Sequence, residues 1–267
     1  MLDTALVSLH KTESITDFNP KRVKKYALIW CQEGNLTLEV DHKMLTLSQN
    51  QVVTITSGQY HAFKNTKNSK GYLLQFTLDY ICKTEKDIEL IFQNSLFCHF
   101  DYNEIISCTN KTEIEEQFLK IENELRCKPY QYLEAIHARI ELLLFTVNRA
   151  KIENGGEIWK PEALFLRFLE FVRNHFKKNY TLKEIAKQLQ TTELKLNELA
   201  KLHAGKTAQN VLFGLVISEA KRKLHYENKS IKEIAYELGF KDPYYFSKFF
   251  KNHTQISPTD YLKEKSM

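Results

Sequence analysis

Ser230-Ile231-Lys232-Glu233-Ile234-Ala235-Tyr236-Glu237-Leu238 decides the reading of this chain, because Thr181-Leu182-Lys183-Glu184-Ile185-Ala186-Lys187-Gln188-Leu189 has already said nearly the same thing. In both, a hydroxyl residue stands three places before a glutamate, the pattern in which side chain and backbone cap each other at a helix start. Both contain Lys-Glu-Ile-Ala with a leucine three residues after the alanine. Ile and Leu at that spacing fill a small core, and the alanine lets a second helix cross closely. A break follows each: Gln190-Thr191-Thr192 in the first, and Gly239 then Phe240-Lys241-Asp242-Pro243 in the second. Further helical segments follow, from about Glu193 to His203 and from Pro243 through Asn252. Capped helix, turn and second helix make a helix-turn-helix, here present twice. Between the copies, Thr207 to Tyr226 has no breaker but Gly214. As a helix it spans about 30 Å, close to the ~34 Å separating successive major-groove faces on one side of B-DNA.

The charge follows the same division. Residues 160–267 carry 20 Lys and Arg against 12 Asp and Glu, whereas the preceding residues carry 18 against 21. A basic carboxy-terminal part on a mildly acidic front suits a chain in which one domain meets a polyanion. With 267 residues and 43% apolar content there is material for two cores. No apolar run is long enough to cross a bilayer, and the start lacks a basic-then-apolar leader, so a cytoplasmic location is expected. Cys31, Cys82, Cys98, Cys108 and Cys127 are odd in number and contain no Cys-x-x-Cys, the usage of reduced, mostly buried thiols.

Tyr26–Trp30, Leu36–Val40, Val52–Ile55 and Tyr72–Phe76 are short, rich in β-branched and aromatic residues, and separated by turn residues. They predict a small antiparallel barrel or sandwich. Residues 111–127 and 130–152 then switch to helical spacing, with Leu133, Ile136, Ile140, Leu143, Leu144 and Val147 on one face; Lys128-Pro129 between them predicts a helical hairpin. Asn154-Gly155-Gly156 opens a linker, and Pro161 to Lys178 reads as an amphipathic helix carrying Leu164, Phe168, Leu169, Val172 and Phe176. The expected class is α+β: residues 1–153 an antiparallel β-barrel with a helical hairpin, 154–160 a linker, and 161–267 an all-α double helix-turn-helix domain.

Residues 160–265 resemble the DNA-binding domain of AraC/XylS-type regulators. The densest likeness runs from Ile234 to Lys251 and closes with Ser257-Pro258 and Tyr261. Leu196, Gly205-Lys206-Thr207 and Ala220-Lys221-Arg222 match less strictly. Ala200 stands where the family has an aromatic residue, Val216 where it often has arginine, and Gln255 where it has glycine. The resemblance implies that Leu194, Lys195, Asn197 and Glu198 face DNA in the first unit, and Pro243, Tyr244, Tyr245, Ser247 and Lys248 in the second. Chemically, Asn197 suits an adenine edge, Glu198 a cytosine amine and Leu194 a thymine methyl. Lys201, Lys206, Lys241, Lys248 and Lys251 suit phosphates.

The strand region resembles, more loosely, the cupin-like sensory domain that precedes this DNA-binding domain in many family members, through Gly34–Val40 and Ser57-Gly58-Gln59-Tyr60-His61-Ala62-Phe63. Trp30, Tyr60, His61, Phe63, Tyr72 and Phe76 are its candidate effector-lining residues by strand position. Metal-dependent cupin enzymes need clustered His and carboxylate ligands; His42 and His61 are isolated and the chain has no His-x-His. No Gly-rich phosphate loop or Gly-x-Ser-x-Gly turn points to another enzyme class, and no metal or cofactor is expected. The resemblance implies an effector-responsive activator that partners double-stranded DNA, a small-molecule effector, RNA polymerase and, through residues 111–152, a second copy of itself, without a membrane. The alternatives are a cupin-type metalloenzyme with a basic domain attached and a ligand-independent architectural DNA binder.

Overall fold

A computed structural model describes residues 2–4, 6–83, 96–97, 103–155 and 163–265. Contacts divide the chain into two compact units, Met1–Lys160 and Pro161–Met267. Of the expected linker, Asn154 and Gly155 are described, with Gly155 at φ 87°; residues 156–160 lie outside the described residues.

The first unit contains β1 (Leu2–Asp3), β2 (Val7–Lys11), β3 (Lys21–Arg22), β4 (Tyr26–Glu33), β5 (Leu36–Val40), β6 (Lys43–Leu47), β7 (Gln51–Ile55), β8 (Tyr60–Asn65), β9 (Lys70–Phe76) and β10 (Ile105–Ser107), with α1 (Leu78–Ile81) after β9. Pairing is antiparallel and forms a six-stranded sheet in the order β1-β2-β9-β4-β7-β10 and a four-stranded sheet in the order β3-β8-β5-β6. From β4 to β9 the chain alternates between the sheets, so both contribute to one core. Ala27, Ile29, Cys31, Val53, Ile55 and Leu73 from the larger sheet meet Leu36, Leu38, Val40, Leu47 and Phe63 from the smaller. The antiparallel expectation holds; the hydrogen-bonded pairing is that of two sheets sharing a core. The β5–β6 hairpin turns at Asp41 and His42, both at positive φ (43° and 63°), the twist a two-residue hairpin demands. Asp41 then accepts from the Tyr60 N–H at 3.0 Å and from Gln59 Nε2 at 2.9 Å, locking the turn to β8.

Alternate residues of a strand face opposite ways, so Tyr26, Leu28 and Trp30 point away from the inter-sheet core, yet they too are buried. Helix α2 (Lys111–Cys127) covers the Trp30 end of this face, and Phe97 packs edge-on against Tyr26. Phe118 stacks on Trp30 and Tyr72 with ring centroids 5.4 and 4.9 Å away. Helix α3 (Tyr132–Glu153) returns along α2 after a left-handed Lys128 at φ 48°, burying Ile136, Ile140, Leu143, Leu144 and Val147. The helical hairpin is present as expected. Cys31 and Cys108 act as buried apolar fill, and burial pushes the Cys108 thiol up to about 12.

The second unit is helical throughout its described residues: α4 (Ala163–Asn174), a 3-10 turn at Phe176–Lys178, α5 (Leu182–Gln188), α6 (Glu193–Ala204), α7 (Ala208–Tyr226), α8 (Ile231–Glu237), α9 (Pro243–Thr254) and α10 (Pro258–Lys265). Helix α4 stops a turn short of the sequence expectation, with His175 at φ −129°, and its buried stripe is Phe165, Leu166, Phe168, Leu169 and Val172. Among the described residues no helix is long and apolar enough to cross a membrane.

His61 gives the first unit a measurable pH signature. Its ring is on the core face of β8, and burial lowers its pKa to about 4 against a raising hydrogen bond to the Gln59 backbone. The unfolded chain takes up this proton near pH 6.5, so the stabilisation is complete above that pH and is lost as pH falls toward 4, by roughly 3 kcal/mol in all. In denaturant titrations at pH 7 and 4.5, His61→Gln is expected to lose about 2–3 kcal/mol less stability on acidification than the parent chain. In the second unit, Gln255 ends α9 at φ 68°, a left-handed conformation costly for a residue with a Cβ. Gln255→Gly is expected to stabilise that unit by about 0.5–1 kcal/mol, read as a higher midpoint in thermal unfolding.

Candidate nucleic-acid interface

The duplication seen in the sequence extends to individual hydrogen bonds. Thr181 caps α5 and Ser230 caps α8, each in a completed capping box; Glu184 and Glu233 accept from the Thr181 and Ser230 N–H groups at 2.8 Å. These contacts satisfy backbone donors that a helix start leaves free, and they hold both glutamates below the usual carboxylate range. At the far ends, the Thr191 N–H donates to Ala186 O at 2.9 Å and the Phe240 N–H to Ala235 O at 3.0 Å. The turning residues are Gln190 at φ 53° and Gly239 at φ 81°. Thr192 then caps α6 and Asp242 caps α9, where Pro243 occupies the first turn. The second turn is one residue longer, four against five residues between helices.

In each copy the second helix buries one stripe and exposes another. Helix α6 buries Leu196, Leu199 and Ala200 and presents Leu194, Glu198, Lys201 and Leu202 to solvent, the two leucines 71% and 70% exposed. Helix α9 buries Phe246 and Phe250 and presents Tyr244 and Tyr245, 69% and 65% exposed, beside Lys248 and Lys251; Lys241 is exposed just before it. Large apolar side chains left in water on a basic surface are uncommon unless something covers them. The remaining expected contacts are less open. Lys195 is half-buried, with Glu198 at 4.0 Å. Pro243 and Ser247 are half-buried, and the Ser247 hydroxyl donates to Pro243 O at 2.9 Å. Lys206 is exposed in the turn after α6. Asn197 is half-buried with both ends of its amide engaged: Nδ2 donates to Glu193 O at 3.1 Å, and Oδ1 accepts from the Ala208 N–H at 3.0 Å. Leu202, on the exposed stripe a turn beyond Glu198, escaped the sequence reading, since a leucine at helical spacing reads as core.

Helix α7 joins the two copies. It is 19 residues long, about 28 Å, and has a buried residue in nearly every turn. Leu212 and Val216 lie with Val172 and Ile185 of the first copy, while Ile217, Ala220 and Leu224 enter the second core with Ile234, Ala235, Leu238, Phe246 and Phe250. Lys223 and Lys229 bridge Glu227 and Glu237 at 2.5–3.2 Å, tying the end of α7 to α8. A second brace lies at Gly239, where a Cβ would stand 2.7 Å from Asn179 Cβ and Lys177 O. The turn of the second copy thus rests on the segment leading into the first, and only glycine fits there.

In the first unit, the six residues expected to line an effector cavity do not share one surface. His61 and Phe63 lie on the core face of β8 and line a cavity of about 460 Å³ with Ile15, Leu73 and Gln75; His61 Nδ1 is buried without a hydrogen-bond partner. Trp30, Tyr72 and Phe76 lie on the opposite face of the larger sheet, against helix α2 or Phe97. Tyr60 points away from the core beneath the Arg22 guanidinium, 5.6 Å from its ring centre. Strand position alone does not tell which face of a doubly covered sheet a residue occupies. Among the described residues, no group of three or more His, Cys, Asp or Glu is placed to hold a metal ion.

Residues 185–264 match a family model described as a helix-turn-helix domain. The HTH-type transcriptional activator RhaS of Mannheimia succiniciproducens is 33% identical over 156 residues, covering 58% of this chain and 53% of the relative. The raffinose operon transcriptional regulatory protein RafR of Pediococcus pentosaceus is 30% identical over 104 residues, 39% and 38% of the two chains. The chain thus spans about half the length, or less, of these curated relatives. Among solved structures, ToxT from Vibrio cholerae aligns over 96% of this chain and 97% of its own, at 14% identity and a TM-score of 0.44. Duplicated capped units, exposed second-helix stripes and the match over residues 185–264 agree: the carboxy-terminal unit holds a helix-turn-helix domain.

Proposed function

We propose that this chain is a sequence-specific, effector-responsive transcription regulator that works as an activator in the cytoplasm, reading adjacent major grooves of double-stranded DNA. The observation that carries it is the pair of solvent-facing recognition stripes, on α6 and α9, mounted on one continuous helix. A spacer of about 28 Å plus the width of the flanking turns is commensurate with the ~34 Å groove repeat. Leu194 and Glu198 meet base edges in the first groove, with Lys195 alongside, and Tyr244 and Tyr245 do so in the second, with Pro243 and Ser247 at its start. Lys201, Lys206, Lys241, Lys248 and Lys251 hold phosphates, which set register without reading sequence. Relatives named as transcriptional activators support the activating role, and activation entails contact with RNA polymerase.

A small-molecule effector occupies the cavity beside His61 and Phe63, whose volume is in the range of ordinary ligand sites, and shifts the population of DNA-competent molecules. Two copies associate through the helical hairpin, where Leu119 of α2 and Leu142 and Phe145 of α3 remain exposed after the opposite faces have packed. Sedimentation at micromolar concentration should give a dimer that Leu142→Glu with Phe145→Glu converts to monomer; a monomeric parent chain would remove dimerisation from the proposal.

Selection of bound duplexes from random sequence tests the central reading. Two short elements separated by one helical turn, 10–10.5 bp centre to centre, should be enriched, with preference over random DNA of about 10³ or more; binding without such preference would mark an architectural protein instead. Lys248→Ala should weaken all sites alike and reduce the slope of log affinity against log salt by about one, and an unchanged slope would exclude a phosphate contact there.

A further inference from the structure

We infer that Asn197, although it sits on recognition helix α6, is a positioning residue: it sets the angle between α6 and the spacer helix α7 and thereby the register of the two reading heads. The inference rests on the DNA-binding reading above and concerns how the two heads are held. An asparagine that reads adenine needs its amide donor and acceptor together, facing the base. Here both are committed inside the domain, the acceptor to the Ala208 N–H at 3.0 Å and the donor to Glu193 O at 3.1 Å. The solvent stripe of α6 runs through Leu194, Glu198, Lys201 and Leu202, and Asn197 lies beside it on the flank toward α7.

Ala208 is the first residue of α7 and has no solvent exposure. Its N–H belongs to the four that a helix start leaves without an internal partner, and water does not reach it. The α7 cap, Thr207, is occupied with the Asn210 N–H. Asn197 therefore supplies the partner for a buried donor and, in doing so, bonds the middle of one recognition helix to the first turn of the spacer. Counted from the N-caps Thr192 and Asp242, the matching residue of the second head is Ser247, whose hydroxyl, among the described residues, bonds within its own helix to Pro243 O. At this matched position the bond runs to the following helix in the first head and stays within the recognition helix in the second. Its leverage is large: a tilt of about 10° at the start of a ~28 Å rod moves the far end by about 5 Å, more than the ~3.4 Å rise of one base pair.

The experiment uses the full chain and the bipartite site selected from random DNA, synthesised with its natural spacing and with one base pair added or removed between the elements. For the parent chain, affinity should fall steeply at both altered spacings. Asn197→Ala is expected to bind the natural spacing about tenfold more weakly, to lose most of the discrimination between spacings, and to select the same bases in each element. Asn197→Asp retains an acceptor for the Ala208 N–H; it should preserve the spacing discrimination and the base preference, with a uniform loss on all sequences from its added negative charge. The inference is overturned if Asn197→Ala changes the preferred base at one position while spacing discrimination stays sharp, or if it changes neither. Should Asn197→Ala fail to fold by circular dichroism, Asn197→Asp decides: loss of an adenine preference identifies a base reader, and its retention a clamp. A parent chain that selects no bipartite site refutes the regulator reading itself, an outcome distinct from either.

Discussion

Helix α7 has to belong to two cores at once, and the carboxy-terminal unit depends on that. Each helix-turn-helix copy alone has only two short helices and a few apolar side chains, too little buried surface to hold against chain entropy. The spacer completes both, lending Leu212 and Val216 to one and Ile217, Ala220 and Leu224 to the other. A helix locked at both ends in this way cannot bend freely between them, so the distance between the two helix-turn-helix copies is set by the core that stabilises them. The close approach at Gly239 and the ion-pair bridge from α7 to α8 act in the same sense. Stability and spacing are here one property, and buried substitutions along α7 affect both.

The amino-terminal unit solves a different problem. Its larger sheet is covered on both faces, by the smaller sheet and by the helical hairpin, so β4 is buried along six successive residues. The inter-sheet face carries aliphatic residues with His61 and Gln75 among them, whereas the hairpin face carries the ring stack of Trp30, Tyr72 and Phe118. Stacked rings packed against a helix leave little room for a ligand. A cavity opens instead where the segment after β2 lies over His61 and Phe63, on the face where burial keeps the imidazole neutral.

Much of the fold was legible because several signals agreed. Capping boxes, turn residues and apolar period all pointed to two helix-turn-helix copies, and β-branched runs between Asp, Asn and Gly turns pointed to antiparallel strands. Elements were missed where local sequence and final environment diverge. β6, Lys43–Leu47, is an exposed edge strand whose polar residues do not alternate visibly, and β2 becomes a strand by pairing with β9 more than sixty residues away. Gln255 departs from the glycine of the pattern the sequence resembles, yet it occupies a left-handed position that glycine adopts without strain.

At the candidate interface, the residues themselves determined which helices face outward: Leu196, Phe246 and Phe250 must be buried, and helical geometry then turns Leu194, Glu198, Tyr244 and Lys248 to solvent. That inference needs only the helical period and the cost of leaving large apolar side chains in water. What Asn197 bonds to, and which sheet face holds Trp30, depended on chain segments brought together from elsewhere. An amide has equal chemistry for a base edge and for a helix terminus, and an aromatic ring suits a ligand or a neighbouring ring alike. Only the tertiary arrangement, by placing the Ala208 N–H and the Phe118 ring within reach, supplies the partners these two side chains have in the folded chain.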